Sequence, residues 1–135
     1  MIFVFGSNEL GQHGGGAAFV AKRDHGARYE GKGGAGQGFG PQGNSFAIPT
    51  CATTTNRPGF EIPFEKLAYY VGCFVAYAKH YPNETFQVTR IGCGLAGWTD
   101  EQVAPLFVNA PANCQFDTAW KPWLGEERTY WGHVD

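Results

Sequence analysis

The sequence lacks basic runs, long apolar segments and closely spaced cysteines, and each absence excludes a class of protein. Ten Lys and Arg against 12 Asp and Glu give a net charge of −2, which provides no electrostatic surface for duplex DNA or an anionic membrane. No apolar stretch approaches the roughly 20 residues of a membrane-spanning helix, and residues 1–5 lack the basic region of a signal peptide. We therefore expect a cytoplasmic protein that binds neither duplex DNA nor membranes.

Cysteine and histidine are too few and too far apart to indicate a metal site. No C-x-x-C pair occurs among the four cysteines, which are Cys51, Cys73, Cys93 and Cys114. The four histidines do not stand at the spacing of metal ligands. The sequence predicts reduced thiols, no metal and no bound cofactor. The length of 135 residues predicts one domain, with a core drawn from 11 Phe, 6 Tyr and 4 Trp.

Glycine, by contrast, is abundant. The chain has 20 glycines, and eight of them fall within residues 26–43. They form no collagen-like repeat, and hydrophobic patterns flank the tract on both sides. We predict an ordered fold with one long loop over residues 26–43.

Hydrophobic periodicity predicts alternating strands and helices. Strands are expected at residues 2–5, 45–49, 85–91 and 112–116, and helices at residues 17–25, 63–78 and 98–107. Gly26 is expected to cap the first helix, Pro49 to end the second strand, and Thr99 to form a capping box with Gln102, while Pro105 limits that helix. Residues 118–135 remain unassigned. This order is typical of the α/β class, with a mainly parallel central sheet and helices on both faces, and ligands of such folds bind where strands end.

Several glycine patterns match nucleotide-binding motifs in their spacing. Residues 26–33 have the spacing of a P-loop, but Gly33 stands where Ser or Thr would bind magnesium, and the segment follows a helix. Two G-x-G-x-x-G matches within residues 31–43 are expected by chance in so glycine-rich a tract. A third, over residues 92–97, follows a strand, precedes a helix and has Asp117 20 residues beyond its last glycine. It predicts phosphate binding by backbone N–H groups, with a simple strand-to-helix turn as the alternative.

Two segments resemble the ligand loops of macrodomains. The first is V-F-G-S-N at residues 4–8, followed by G-G-G-A-A at residues 14–18. The second is R-I-G-C-G-L-A-G at residues 90–97, continued by D-E-Q-V, which is similar to the macrodomain phosphate loop and the helix after it. The resemblance covers residues 2–107. It is greatest to the small macrodomains that remove ADP-ribose from glutamate or dephosphorylate ADP-ribose 1''-phosphate, and it extends to short bacterial and phage-borne proteins.

The resemblance implies a three-layer α/β/α fold that binds ADP-ribose or a related nucleotide-sugar. Asn8 would hydrogen-bond the distal ribose, residues 14–16 would follow its other face, and residues 92–97 would hold the diphosphate. The implied ligand-binding set is Gly6, Ser7, Asn8, Gly14, Gly15, Gly16, Ala17, Gly92, Cys93, Gly94, Leu95, Ala96, Gly97 and Trp98. An ADP-ribosylated protein or nucleic acid would be the larger partner.

The catalytic residues of the glutamate-specific branch have no counterpart in this chain. Ala96 stands at the place of its catalytic Asp, and Thr50 or Cys51 at the place of its Lys. His13, in the first loop, is the candidate general acid or base because imidazole titrates near neutral pH, with a merely hydrogen-bonding histidine as the alternative. Further candidates are Asp24, Asp100 and Glu101, of which Asp100 also fits a charge that stabilises a helix N-terminus.

Two residues beside the second loop have competing interpretations. Cys93 fits a nucleophile activated by a helix N-terminus or a small buried loop residue, and Trp98 fits a pocket wall or a helix anchor. The resulting hypothesis is an ADP-ribose-binding protein that hydrolyses an ADP-ribosyl linkage. A non-catalytic reader or sequestering protein is the first alternative, and a module for single-stranded nucleic acid or a nucleotide cofactor is the second.

Overall fold

The structure of the chain is a computed structural model that describes residues 1–9, 16–27, 39–51, 62–93 and 96–133. These residues form an α/β protein built on a six-stranded, mainly parallel sheet. Its elements in chain order are β1 (Ile2–Asn8), α1 (Gly16–Asp24), β2 (Gly40–Gln42), β3 (Ser45–Cys51), α2 (Phe64–His80), β4 (Phe86–Val88), α3 (Asp100–Val103), a 3₁₀ helix (Ala104–Phe107), β5 (Cys114–Asp117), a second 3₁₀ helix (Thr118–Trp120), α4 (Lys121–Leu124) and β6 (Thr129–Gly132). No helix in these segments is long and apolar enough to cross a bilayer.

β1 lies inside the sheet, whose strand order is β2-β3-β1-β4-β5-β6. It pairs in parallel with β3 on one side and with β4 on the other, and β5 and β6 continue the parallel arrangement. Among the described strands β2 alone runs antiparallel, beside β3. A strand buried on both faces needs a continuous apolar run, which the I-F-V-F segment at residues 2–5 provides.

Side chains of β1 alternate between two buried clusters on opposite faces of the sheet. Phe3 and Phe5 pack with Ala21 of α1 in the smaller cluster. Val4 belongs to the larger cluster, which contains the apolar stripe of α2, namely Leu67, Val71, Phe74, Val75 and Ala78. These five residues confirm the helical periodicity predicted for α2, whereas Phe64, predicted in the same stripe, is 39% exposed. α1 and α2 therefore pack on opposite faces of the sheet.

β1 and β3 are both longer than the sequence predicted. β1 continues through Gly6 to Asn8 because these residues pair with the end of β3. β3 continues past Pro49 to Cys51. Proline is tolerated there because β2 pairs with β3 only as far as Ala47, which leaves Pro49 with a neighbouring strand on one side. The two strands therefore end together at one edge of the sheet.

β4 is shorter than predicted, at Phe86–Val88 instead of residues 85–91. The backbone N–H and the hydroxyl of Thr89 both donate to the carbonyl oxygen of Val4, at 3.1 and 2.7 Å. The N–H of Ile91 then donates to the carbonyl oxygen of Thr89 at 2.8 Å, which turns the chain out of the sheet. The loop after β4 therefore begins at Thr89, directly beside β1.

The capping residues predicted for the first and third helices agree with the structure. α1 ends at Asp24, and Gly26 follows it with a φ of +78°. The capping box of Thr99 and Gln102 is present. α3 is shorter than predicted, because a 3₁₀ helix replaces it from Ala104, next to Pro105.

Two parts of the chain have structure that the sequence did not predict. β2 lies within the glycine tract that was expected to be a loop, and residues 28–38 of that tract lie outside the described residues. The unassigned C-terminal segment supplies a 3₁₀ helix, α4 and β6, and its Trp120 is fully buried. β5 begins two residues later than expected, at Cys114. The C-terminal segment is thus part of the folded unit.

Candidate functional site

Both glycine loops identified in the sequence leave the sheet at the point where its strand order reverses. The chain passes from β1 to β3 on one side, and from β4 to β5 on the other, so the connections after β1 and β4 diverge. In open parallel sheets, ligands bind in the crevice that such a divergence creates at the carboxyl ends of the strands. Gly6, Ser7 and Asn8 lie on the β1 side of this crevice, and Gly92 and Cys93 on the β4 side.

The two sides approach so closely that a Cβ atom would be crowded at their contact. A Cβ atom on Gly6 would lie 3.1 Å from the backbone nitrogen of Gly92 and 3.3 Å from Cγ2 of Thr50. Gly92 has a φ of +74°, and its Cβ would lie 2.9 Å from Cδ1 of Trp98 and 3.3 Å from the same Thr50 methyl group. The packing of the protein itself therefore requires glycine at position 92, and a side chain at position 6 would have to displace its neighbours slightly.

Thr50 and Trp98 hold the two loops together. Thr50, at the end of β3, is buried, and its hydroxyl donates to the carbonyl oxygen of Ser7 at 3.0 Å. The indole N–H of Trp98 donates to the carbonyl oxygen of Thr50 at 2.9 Å, and its backbone N–H to that of Gly92 at 2.8 Å. The ring of Phe64 packs edge-on against the indole, with centroids 5.8 Å apart. These contacts favour the anchoring interpretation of Trp98.

Asn8 and Glu9 stand at the end of β1. Asn8, to which the resemblance assigns a hydrogen bond with the distal ribose, is buried, with only 3% of its surface exposed. Glu9, which sequence reasoning did not single out, accepts a hydrogen bond from the hydroxyl of Tyr70 and pairs with Nζ of Lys66, both at 2.5 Å. No local pattern links Glu9 to these two residues of α2, so only the fold reveals the cluster.

Hydrogen bonding and burial shift the pKa values of Glu9 and Tyr70 in opposite directions. Partial burial acts to raise the pKa of Glu9, but the hydrogen bonds from Lys66 and Tyr70 outweigh it, so the pKa is lowered overall. Burial, and then the Glu9 carboxylate, raise the pKa of Tyr70 to about 12. Glu9 is therefore an ionised carboxylate that is already bonded to Lys66 and Tyr70.

The charges of the second loop also neutralise each other. The guanidinium of Arg90 donates two hydrogen bonds to the carboxylate of Asp100, at 2.8 and 2.7 Å. The indole N–H of Trp120 donates to the same carboxylate at 2.8 Å. The bonds from Arg90 are the largest influence on Asp100 and lower its pKa, while burial opposes them. Asp100, at the start of α3, is thus the ion-pair partner of Arg90.

Cys93 lacks the properties of a nucleophile. Burial, and then the neighbouring Asp100 carboxylate, raise the pKa of its thiol to about 12. A thiol must ionise to attack, and this environment disfavours the thiolate. The N-terminus of α3 does not compensate, because the hydroxyl of Thr99 already accepts the N–H of Gln102 at 3.1 Å. The interpretation as a small, half-buried loop residue is therefore the better one.

Asp117 lies at the end of the next parallel strand, as a dinucleotide fingerprint requires, but its side chain is not exposed there. It is fully buried at the end of β5, where its carboxylate accepts the N–H of Ala119 at 2.8 Å. The same carboxylate lies 2.9 and 3.0 Å from Nδ1 of His133. This buried carboxylate caps the following 3₁₀ helix and bonds the C-terminal segment.

The remaining predicted residues fall into three groups. Gly16 begins α1, half-buried Ala17 packs in the smaller cluster, and Ala96 and Gly97 precede α3. Asp24 pairs with Arg23 at the end of α1, away from both loops, and Glu101 is exposed on α3. His13, Gly14, Gly15, Gly94 and Leu95 lie outside the described residues.

In comparisons with protein-family models, curated proteins and solved structures, no match to this chain was found. Within the part of the chain that the structure describes, no three His, Cys, Asp or Glu side chains are grouped as metal ligands would be. No disulfide joins the four cysteines. A functional assignment therefore rests on the geometry of the site and on the macrodomain resemblance.

Proposed function

We propose that this chain is a macrodomain-like module that binds ADP-ribose or a related nucleotide-sugar at the carboxyl ends of β1 and β4. The observation that carries the proposal is the position of residues 6–8 and 92–93, the described ends of the two glycine loops. These residues are far apart in the sequence, belong to segments that resemble the two ligand loops of one family, and lie together where open parallel sheets bind ligands.

The packing of the helices supports the fold assigned in this proposal. α1 lies on the face of Phe3 and Phe5, and α2 lies on the face of Val4. A three-layer α/β/α macrodomain would also carry helices on both faces of its sheet, so this packing supports the proposed fold.

The electrostatics of the site favour a diphosphate held by backbone groups. Arg90 and Lys66, the cations beside the loop ends in the described part of the chain, are paired with Asp100 and Glu9. Phosphate oxygens would therefore be bound by the N–H groups of the second loop, and the sugar hydroxyls by the polar end of β1. Because little net positive charge is involved, we expect the affinity to change only modestly with salt concentration.

Calorimetric titration tests the proposal. ADP-ribose, AMP, NAD and ribose 5-phosphate are titrated separately into the protein, with a single-stranded oligonucleotide as a further ligand. We expect ADP-ribose to bind most tightly, because it alone offers an unblocked distal ribose together with both phosphates and adenosine. Equal or absent binding of all five ligands would contradict the proposal, and preference for the oligonucleotide would favour the nucleic-acid alternative.

A valine substitution in the second loop tests whether this loop binds the ligand. Gly94→Val places a branched side chain where the resemblance puts phosphate oxygens, so we expect ADP-ribose binding to be lost. Gly72→Val is the control, because Gly72 is exposed on α2 and a Cβ there meets nothing within 4 Å. Thermal unfolding of both variants checks that they are folded. Retained affinity in folded Gly94→Val would refute the assignment of this loop.

A further inference from the structure

The ionised carboxylate of Glu9 has one oxygen that bonds the protein and one that does not. Its Oε2 accepts a hydrogen bond from the hydroxyl of Tyr70 and pairs with Nζ of Lys66. Within the described residues, its Oε1 accepts no hydrogen bond. The side chain is 25% exposed, and Oε1 is not among the buried atoms. Oε1 is therefore an accessible acceptor that the fold leaves unused.

The position of this carboxylate is fixed at both ends of the side chain. The backbone N–H of Glu9 donates to the carbonyl oxygen of Cys51 at 3.0 Å, so the residue stays beside the end of β3. The ring of Tyr70 stacks on that of Phe39, with centroids 5.9 Å apart, and this contact helps to hold the hydroxyl that bonds Oε2. Because the side chain is already ordered, a ligand that bonds Oε1 loses little free energy in immobilising it.

The N-terminal half of α2 brings the carboxylate to the wall of the crevice. Phe64, the first residue of α2, packs against Trp98, which follows the second loop. Lys66 and Tyr70, from the same end of the helix, contact the residue that follows β1. This part of α2 therefore reaches both sides of the crevice, and Glu9 lies between the helix and the end of β1.

We propose that Glu9 selects ligands whose distal ribose carries free hydroxyl groups and rejects ligands in which that ribose carries a phosphate. The inference rests on the proposed function and narrows its ligand class. An ionised carboxylate only accepts hydrogen bonds, and a carboxylate at a strand end is a common partner of ribose hydroxyls. A phosphate on the same sugar presents acceptor oxygens and negative charge to Oε1, so both oppose its binding. The site therefore takes ADP-ribose and not ADP-ribose 1''-phosphate.

Calorimetry on the wild-type protein gives the first test and needs no substitution. ADP-ribose, ADP-ribose 1''-phosphate and ADP are titrated separately, and ADP serves as the ligand that lacks the distal ribose. We expect ADP-ribose to bind about tenfold or more tightly than its 1''-phosphate, because the added phosphate lies close to a like charge. The ammonium group of Lys66 would produce the opposite preference if it faced the ligand in place of Oε1.

Glu9→Gln is the second test, because the partners of Glu9 determine how the new amide is oriented. Tyr70 and Lys66 are both donors, so the amide oxygen takes the place of Oε2 and the NH₂ group takes the place of Oε1. The acceptor that faces the ligand thus becomes a neutral donor. We expect ADP-ribose to bind roughly tenfold more weakly than to wild type, and ADP-ribose 1''-phosphate about tenfold or more tightly.

Glu65→Gln is the matched control for this substitution. Glu65 is exposed in the first turn of α2, next to Lys66, and its replacement removes the same charge. We expect it to leave the affinities of all three ligands unchanged, and we expect ADP to bind Glu9→Gln as it binds wild type. Thermal unfolding checks that both variants are folded.

The outcomes separate this inference from the proposed function. Wild-type protein that binds ADP-ribose 1''-phosphate as tightly as ADP-ribose, or more tightly, would overturn the role of Glu9 and leave the proposed function intact. The same conclusion follows if folded Glu9→Gln keeps the wild-type preference, if Glu65→Gln alters it equally, or if ADP loses as much affinity as ADP-ribose. Wild-type protein that binds neither ADP-ribose nor its 1''-phosphate would overturn both.

Discussion

Replacing Gly92 with alanine perturbs the contact on which the two loops depend. The new Cβ would lie 2.9 Å from Cδ1 of Trp98 and 3.3 Å from Cγ2 of Thr50, at a φ of +74°. A left-handed conformation costs an L-residue about 1–2 kcal/mol, and overpacking a close contact typically costs about 1–3 kcal/mol. Lower entropy of the unfolded chain offsets about 0.4–1 kcal/mol. We expect Gly92→Ala to reduce the free energy of unfolding by about 2–3 kcal/mol.

Gly97→Ala is the matched control for this substitution. Gly97 has a φ of +83°, but a Cβ there meets nothing within 4 Å. It carries the conformational cost without the clash, so we expect a loss of about 1 kcal/mol or less. Urea unfolding measures both variants, and with a slope of about 2 kcal/mol per molar urea their midpoints should differ by roughly 1 M. Equal midpoints would refute the claim that the Trp98 and Thr50 contacts require glycine at position 92.

Three further predictions concern the clusters around the site. Tyr70→Phe removes a hydrogen bond to the Glu9 carboxylate and should lower the free energy of unfolding in urea by about 2 kcal/mol. Tyr69→Phe is the control and should change it little, because Tyr69 is exposed. A larger loss for Tyr69→Phe than for Tyr70→Phe would contradict the role of Tyr70. Because Arg90 lowers the pKa of Asp100 below its ordinary 3.8, their pairing stabilises the fold fully above that pH, and its contribution disappears as the pH falls through the lowered pKa. The stability difference between wild type and Asp100→Asn should therefore be constant near neutral pH and shrink below about pH 4, and a difference independent of pH would argue against the pair. With a pKa of about 12 instead of 9.0, Cys93 should react with iodoacetamide at pH 8 roughly a thousandfold more slowly in the folded than in the urea-unfolded protein, as mass spectrometry of its peptide can show.

Local patterns predicted the elements of this fold better than their ends. The stripe of α2 and the capping box of Thr99 and Gln102 depend on residues three or four apart, and both are confirmed. The predicted end of β4 was wrong because Thr89 leaves the regular strand pairing and its hydroxyl bonds the carbonyl oxygen of Val4. Only the folded sheet brings Val4 close to Thr89. Pro49 was wrongly expected to stop β3, because its tolerance depends on where β2 stops.

The candidate site shows the same division. The two loops were recognised because each is a continuous glycine-containing segment, and the α/β order predicted that both would stand at strand ends. The pairs Glu9–Lys66 and Asp117–His133 join residues from separate elements. No sequence spacing encodes these contacts, so the acidic partner in each pair could be assigned only from the structure.

The place of β1 inside the sheet has a consequence for the order of folding. β1 is synthesised before the other strands, yet both of its neighbours, β3 and β4, come later in the chain. Its apolar residues 2–5 therefore have no strand to pair with until residues 45–51 have emerged, and the second side stays open until residues 86–88 follow. Pairing over such sequence separations is slow, because loop closure must precede the stabilising contacts. During synthesis, the apolar strand at the centre of the sheet is thus also the one that waits longest for its partners, which leaves its hydrophobic surface exposed to aggregation in that interval.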